Sequence, residues 1–372
     1  MGAVTYIFAG GGTGGHLYPG LAIAEQIRRL SPGAQLLFLC SNREIDRKVL
    51  EPEGVAFAPL PAQPIGVRPR ALWRFVSNWP ASVRLTRAAI RAARGDGGEV
   101  RMVALGGFVA APAVQAARVE RVRVTLVNID AAPGKANKWI ARRTAAPAFT
   151  TYASASHPAW RLINPIVRSA AAAPRDRGEC RRRLGLNASR PVLMVTGGSL
   201  GASSINRLMT GLAERSAEAF NRSGWQVIHQ CGKDEAPALE VAYRSAGIKA
   251  VVTEFTREMG VWWGASDLAV ARAGAGSVAE AWCNRVPCVF LPYPYHSDDH
   301  QRLNAGPLVE KGAAVVCVDR VDPGANLEEA GRVIERLLRE PEALAPMAVA
   351  AAGLPAADGA GSVAAFLVQN AG

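Results

Sequence analysis

Two parallel α/β domains are expected from three features of this sequence. Short apolar runs alternate with amphipathic helical stretches along most of the 372 residues, and such alternation builds a parallel sheet with helices on both faces. The alternation breaks once, over residues 162–186, where proline, alanine and arginine replace the periodic run, and then restarts. Each half also places a glycine turn directly after its first strand. The length itself accommodates about two domains.

The elements follow in order. VTYIFAG (4–10) is a buried strand, and after a glycine turn PGLAIAEQIRRL (19–30) has helical spacing. AQLLFLCS (34–41) is the second strand and REIDRKVLEPEG (43–54) its helix. VRMVALGG (100–107), FVAAPAVQAARV (108–119) and VRVTLVNI (122–129) add strand, helix and strand. Beyond the break, RPVLMVTGGSLGASSINRLMTGLAERS (190–216) repeats strand, glycine turn and helix. WQVIHQCG (225–232), KAVVTEF (249–255), LAVARAG (268–274), PCVFLPYP (287–294) and AAVVCVD (313–319) supply further strands. The two halves are expected to face each other. Ligands in such sheets bind at the carboxyl ends of the strands, so the cleft between the halves is the expected site.

Composition narrows the partners. Hydrophobic residues make up 49% and charged residues 20%, which suits a globular protein with an ample core. The net charge is +12 and comes almost wholly from arginine. That surplus favours nucleic acid, acidic lipid or phosphorylated substrates, against the plainer alternative of arginines scattered over the surface. Cys40, Cys180, Cys231, Cys283, Cys288 and Cys317 form no CxxC pair, which argues against a zinc site and suggests reduced thiols in the cytosol. The amino terminus lacks the basic leader of a signal peptide, and no apolar run is long enough to span a membrane.

Gly10, Gly12 and Gly15 match the dinucleotide fingerprint G-x-G-x-x-G. That fingerprint also needs an acid near the end of the second strand, which here ends FLCSN. No lysine follows the glycines, which excludes a P-loop. What remains is a turn that lets a ligand or another backbone approach, with a helix amino terminus aimed at whatever sits there. His16 stands at that helix start, where the dipole keeps an imidazole neutral and able to accept a proton. The second turn, TGGSLGASSIN (196–206), repeats the device with Ser199 and Asn206 as neutral donors suited to a diphosphate, and ALGGFVAAP (104–112) is a third glycine pair. In LAVARAGAGSVAEAW (268–282), Glu280 can accept two hydrogen bonds from a ribose diol or be an ordinary first-turn glutamate. LPYPYHSDDHQRLNA (291–305) is rich in His, Asp, Gln and Asn, but its spacing fits no helical metal motif.

GGTGGHLYPGLAIAEQI, LGGFVAAPA, TGGSLGASSIN, VTEF, RAGAGSVAEA and PYPYHSDDHQRLNA, in that order across nearly the whole chain, resemble the motif series of the MurG family, the UDP-N-acetylglucosamine transferases that make lipid II. The resemblance implies a GT-B fold: two Rossmann-like parallel-sheet domains facing a central cleft. It implies an inverting reaction with UDP-N-acetylglucosamine as donor, a polyprenyl-diphosphate-linked acceptor, no cofactor and no metal at the diphosphate. Residues 1–163 would be the acceptor and membrane domain, with a helix in 350–372 packing back on it, and 164–349 the UDP-sugar domain. Glu280 would hold the ribose, and Gly198, Ser199 and Gly201 the diphosphate. Phe255 and Thr256 would border the uracil, Gln301 and Asn304 contact the sugar, and Arg168 reach a phosphate. Thr13 and Gly14 complete the donor-binding set, while His16 with Thr13 belongs to the acceptor side. The protein would be cytoplasmic and peripheral on the inner face of the cell membrane.

The sequence departs from the family pattern at Val127, Asn128, Ile129 and Asp130, where the family has His-Glu-Gln-Asn, at the Ile166 insertion in INPIVR, and at His300, where the family has glutamine. Asp130 can take a proton where asparagine cannot, so it is the second candidate base after His16. These changes keep open a different lipid acceptor such as diacylglycerol, or a non-catalytic UDP-sugar-binding paralogue. Retention of His16, Glu280 and Gln301 together speaks against the latter.

Residues 67–95 carry clustered arginines, no acidic residue, and interleaved Trp73, Phe75, Val76 and Trp79. With Arg70 and Arg74, such a face suits an anionic membrane surface, or nucleic acid through phosphates and stacking. It also suits a core-facing helix with a solvated arginine side. The resemblance to enzymes of lipid-linked acceptors favours the membrane and no nucleic acid.

Overall fold

The structure, a computed structural model, describes residues 4–12, 14–66, 68–95, 97–153, 157, 159–174, 176–198, 201–295 and 299–370. The chain forms two compact units, residues 1–168 with 358–372, and residues 169–357. The sequence suggested a division at 163/164 and a return from 350. Residues 164–168 stay with the first unit because Asn164 donates to the Asp358 carboxylate at 2.8 Å and Arg168 pairs with Glu25 and Glu53.

The first unit runs β1 (Thr5–Ala9), α1 (Gly14–Leu30), β2 (Gln35–Ser41), α2 (Glu44–Leu50), β3 (Ala56–Leu60), α3 (Pro69–Arg94), β4 (Val100–Ala104), α4 (Gly107–Val119), β5 (Arg123–Asn128), α5 (Lys135–Ala141), β6 (Phe149–Thr150) and β7 (Arg161–Leu162). Its strands pair in parallel in the order β3-β2-β1-β4-β5-β6-β7. Every residue of β1 and β4 is buried, as expected of central strands covered by helices on both faces.

The second unit runs α6 (Arg177–Arg183), β8 (Val192–Thr196), α7 (Ser203–Arg215), α8 (Ala217–Arg222), β9 (Gln226–Gln230), α9 (Ala236–Ser245), β10 (Ala250–Thr253), α10 (Met259–Ala265), β11 (Leu268–Ala271), α11 (Ala275–Asn284), β12 (Cys288–Phe290), α12 (His300–Glu310), β13 (Ala314–Val316), α13 (Pro323–Asn326), α14 (Arg332–Arg339) and α15 (Pro341–Ala352). Its parallel sheet is ordered β10-β9-β8-β11-β12-β13. Both sheets therefore have the Rossmann order, reversing direction between β1 and β4 and between β8 and β11.

The last helix, α16 (Gly359–Gln369), belongs to the first unit. Ala360, Val363, Ala364 and Leu367 enter the core that holds Tyr6, Phe8, Leu21 and Ile27. The buried guanidinium of Arg101 on β4 donates to the Leu367 carbonyl at 2.7 Å and also to that of Asn370, so a strand side chain satisfies carbonyls at the helix end. Among the described residues no helix is long and apolar enough to cross a membrane.

Candidate functional site

In the first unit the glycine turn after β1 is gripped by the protein itself. The Asp46 carboxylate on α2 is fully buried. It accepts from the Gly12 N–H at 2.8 and 2.9 Å, the Ser41 N–H at 2.8 Å and the Ser41 hydroxyl at 2.7 Å. Arg43 donates to the Gly12 carbonyl at 2.9 Å and lies 5.1 Å over the Phe108 ring. A Cβ at Gly11 would sit 2.4 Å from Asp46 Oδ2, and one at Gly12, whose φ is +88°, would sit 2.4 Å from Phe108 Cε1. The close approach read from these glycines is thus made by the protein's own side chains. The acid nearest FLCSN in the fold, Asp46 five residues past the strand, is spent on this turn.

His16 lies in the first turn of α1. Its ring lies 3.3–3.4 Å from where a Cβ on Gly107 would stand, so the left-handed Gly107, φ +75°, leaves room for the imidazole. Burial holds His16 below the ordinary histidine value of 6.5, while the charges of Asp130 and Asp46 push the other way. Asp130 also acts on Tyr152, whose phenol is raised first by burial and then by that carboxylate. The loop bearing Asp130 is tied down by Asn128, which donates to the Asp130 carbonyl at 2.7 Å and accepts from Asn137 at 2.9 Å. His16, Asp130, Asp46 and Tyr152 thus form one electrostatic group at the carboxyl ends of the strands. Gly14 opens α1 and packs on Tyr18.

Arg168, expected to reach a phosphate, is paired with carboxylates. Its guanidinium reaches Glu53 at 2.6 Å and Glu25 at 3.3 Å, over the Tyr18 ring, all within the first unit. Two carboxylates take up the charge that the resemblance assigned to a phosphate. Thr13, Ser199, His296 and Asp298 lie outside the described residues.

In the second unit the turn after β8 is partly closed and partly open. A Cβ on Gly197 would lie 2.2 Å from the Ala202 nitrogen, and one on Gly201 2.3 Å from the Cys231 carbonyl, so both serve tight packing. Among the described residues, a Cβ on Gly198, whose φ is +81°, would meet nothing within 4 Å, and the same holds for Gly274 and Gly276 after β11. The Arg272 N–H donates to the Thr196 carbonyl at 3.3 Å, so the two turns lie side by side. This open glycine surface beside the starts of α7 and α11 is where an anion can approach backbone N–H groups. Asn206, expected to face a diphosphate, instead turns inward. Its amide donates to the Cys231 carbonyl at 2.9 Å and its oxygen meets His229 Nε2 at 3.0 Å. That fixes the proton on Nε2 and leaves Nδ1 to accept from the Tyr243 hydroxyl at 2.9 Å. Burial drives His229 down to about 3.

Glu280 is in the second turn of α11, not the first, and the Trp263 indole donates to its Oε2 at 2.9 Å. The indole fixes the rotamer of a half-buried carboxylate one turn beyond the open glycines. Gln301 on α12 accepts from the Tyr293 N–H at 2.9 Å. Asn304 is fully buried and donates to the Ala273 carbonyl at 3.4 Å, which ties α12 to the turn after β11. Phe255 is exposed, and Thr256 caps the following turn by accepting from the Glu258 N–H at 3.0 Å. Sequence reasoning missed the buried pair of Arg272 and Asp319, 2.6 Å apart and joined by Ser204.

On α3 the two halves differ. Ser82, Thr86 and Ile90 are buried against the unit. Towards the amino end Leu72, Trp73 and Val76 are exposed on one face, Trp73 at 70%, with exposed Arg68, Arg70 and Arg74 around them. Phe75 and Trp79, grouped with Trp73 from sequence, point elsewhere. Trp79 donates to Gln115 and packs on Phe75 and Trp139.

Residues 6–149 match the glycosyltransferase family 28 N-terminal domain, and residues 192–363 its C-terminal domain. A protein of Clavibacter sepedonicus named UDP-N-acetylglucosamine--N-acetylmuramyl-(pentapeptide) pyrophosphoryl-undecaprenol N-acetylglucosamine transferase is 34% identical, covering 98% of this chain and 96% of its own. The identically named protein of Leifsonia xyli subsp. xyli is 35% identical, covering 97% of each. The crystal structure of Acinetobacter baumannii MurG superposes with a TM-score of 0.74 at 24% identity, covering 99% of this chain and 100% of that one. That likeness gives the fold as GT-B. With both domains matched and similarity running end to end, the chain belongs to glycosyltransferase family 28.

Proposed function

We propose that this glycosyltransferase moves N-acetylglucosamine, with inversion, from UDP-N-acetylglucosamine to a polyprenyl-diphosphate-linked acceptor, the step from lipid I to lipid II in peptidoglycan synthesis. The observation that carries this reading is the 34% identity over 98% of the chain to a relative named for that transfer. The second unit binds the nucleotide: the Glu280 carboxylate accepts from the ribose diol, and the open glycine surface at Gly198, Gly274 and Gly276 lets the diphosphate reach backbone N–H groups. Those groups meet the negative charge that grows on the leaving phosphate, the kind of stabilisation that is usually the largest catalytic contribution. They do so without a metal, and activity is expected to persist in a chelator. His16 takes the proton of the attacking acceptor hydroxyl, with Asp130 beside it. The proton ends on the imidazole as the sugar–phosphate bond breaks and UDP departs.

The reading is tested by a product assay with lipid I and with diacylglycerol as acceptors. Transfer to lipid I is expected, and transfer to diacylglycerol alone would reject it. Glu280→Ala removes two charge-assisted hydrogen bonds of ~1.5–3 kcal/mol each, so UDP affinity measured by calorimetry is expected to fall by about 10²- to 10⁴-fold. An unchanged affinity would remove Glu280 from the ribose site.

The amino-terminal half of α3 meets the inner face of the cell membrane, which makes the enzyme peripheral. Leu72, Trp73 and Val76 supply the apolar contact, and each nearby arginine adds ~1 kcal/mol against anionic lipid. Trp73→Glu is expected to lower sedimentation with phosphatidylglycerol vesicles several-fold and leave activity on a detergent-solubilised acceptor intact. Equal sedimentation of the two proteins would refute the surface.

A further inference from the structure

Asp46 is a buried carboxylate, and among the described residues no arginine or lysine pairs with it; the groups that donate to it there are the Gly12 N–H, the Ser41 N–H and the Ser41 hydroxyl. A buried charge is costly unless fully hydrogen-bonded, so its place on α2 calls for a reason. It faces the turn that leads into α1. Asp46 holds the Gly12 N–H while Arg43, one turn earlier, holds the Gly12 carbonyl, and Phe108 packs on the third side. The peptide groups on both sides of Gly12 are therefore fixed from α2, four residues before His16.

We propose that Asp46 is a positioning residue for the transfer: with Arg43 it fixes Gly12 ahead of α1 and thereby the place of the His16 imidazole. The proposal rests on the reading of His16 as the base. It goes beyond that reading by assigning the accuracy of the base to α2, an element with no group in the reaction. Both carboxylate oxygens receive the Gly12 N–H, so the amide nitrogen of an asparagine would face a donor whichever way it turned. Asp46→Asn should then release the turn. Among the described residues, Asp130 on the loop after β5 and Asp46 on α2 act on His16, with Arg43 at the Gly12 carbonyl and Tyr152 under the charge of Asp130. Removing the Asp46 charge leaves His16 harder to protonate.

The test is steady-state kinetics on the full-length enzyme with Asp46→Asn, His16→Ala and the double variant. Misplacing a catalytic group by about 1 Å costs ~10²-fold, so Asp46→Asn is expected to lower kcat by that order with an unchanged KM for UDP-N-acetylglucosamine. The acidic limb of its kcat profile should move to lower pH, which a merely structural residue would not cause. In the His16→Ala background the same change should cost little. A full second loss there, or wild-type kcat and pH limb in Asp46→Asn, overturns the proposal while the base assignment stands. Wild-type kcat in His16→Ala alone instead overturns the base assignment. Should Asp46→Asn not fold, the exposed Arg43→Ala serves. It is expected to lower kcat about 10-fold at constant donor KM, and unchanged kcat would likewise overturn the proposal.

Discussion

Replacing His16 by alanine is expected to lower turnover by ~10²–10⁴-fold, the usual contribution of a positioned general base, and to leave UDP affinity unchanged. The separation follows from where the groups lie. His16, Asp130 and Asp46 are in the first unit, while Glu280 and the open glycines are in the second. The pH dependence has a definite sign. A base works only as the neutral imidazole, so kcat falls as pH drops through the His16 value. Burial holds that value below 6.5 despite two nearby carboxylates, so the wild-type rate should be flat through neutrality and fall only below pH 6.5. Replacing Asp130 by asparagine removes one of those carboxylates and should shift the limb further into acid. Wild-type turnover in His16→Ala, measured with saturating acceptor, would reject the assignment.

The second large effect is on stability. Asp319→Ala is expected to destabilise the second unit by ~3–5 kcal/mol, the cost of stripping one partner from a buried ion pair. Arg272 and Asp319 have side chains 10% and 0% exposed. The guanidinium also donates to Ser204 and to the Leu291 and Pro292 carbonyls, so it ties the end of β11 to α7 and to the turn after β12. Without Asp319 that charge would stay buried and uncompensated. Urea unfolding should resolve the change, and a loss under about 1 kcal/mol would refute it. Burial acts to raise the Asp319 carboxyl, but hydrogen bonds from Ser204, Asn326, the Val321 N–H and Arg272 outweigh it and hold the group below its ordinary 3.8. Its stabilisation is therefore complete above about pH 4 and lost only as pH falls through the lower folded value.

Both sheets were legible because their central strands are unbroken apolar runs between glycine turns and amphipathic helices. VTYIFAG and PVLMVTG need no tertiary information to be read as buried parallel strands. β6 and β7 were not legible: each has two residues and sits towards one edge of the sheet, too short for any periodicity. The site was half legible. Glycines mark close approach, but the sequence does not say whether a ligand or the protein makes it. At Gly11 and Gly12 it is the protein, while Gly198 meets no other described residue. Asp46 had a signal, since it shares the buried face of α2 with Val49 and Leu50 at helical spacing. Among the charges of REIDRKVLEPEG it reads as one more solvated acid. Arg272 and Asp319 are 47 residues apart, and only the fold brings them together. The partners of Arg168, Glu25 and Glu53, lie over a hundred residues away, so its pairing could not be read from the sequence.

The sequence route through the two units bears on how the protein is made. The second unit is one continuous stretch, whereas the first is completed by α16, whose Val363 and Leu367 fill its core. A ribosome delivers those side chains only after every residue of the second unit has emerged. Until then the part of α1 that α16 covers has nothing from α16 to pack against.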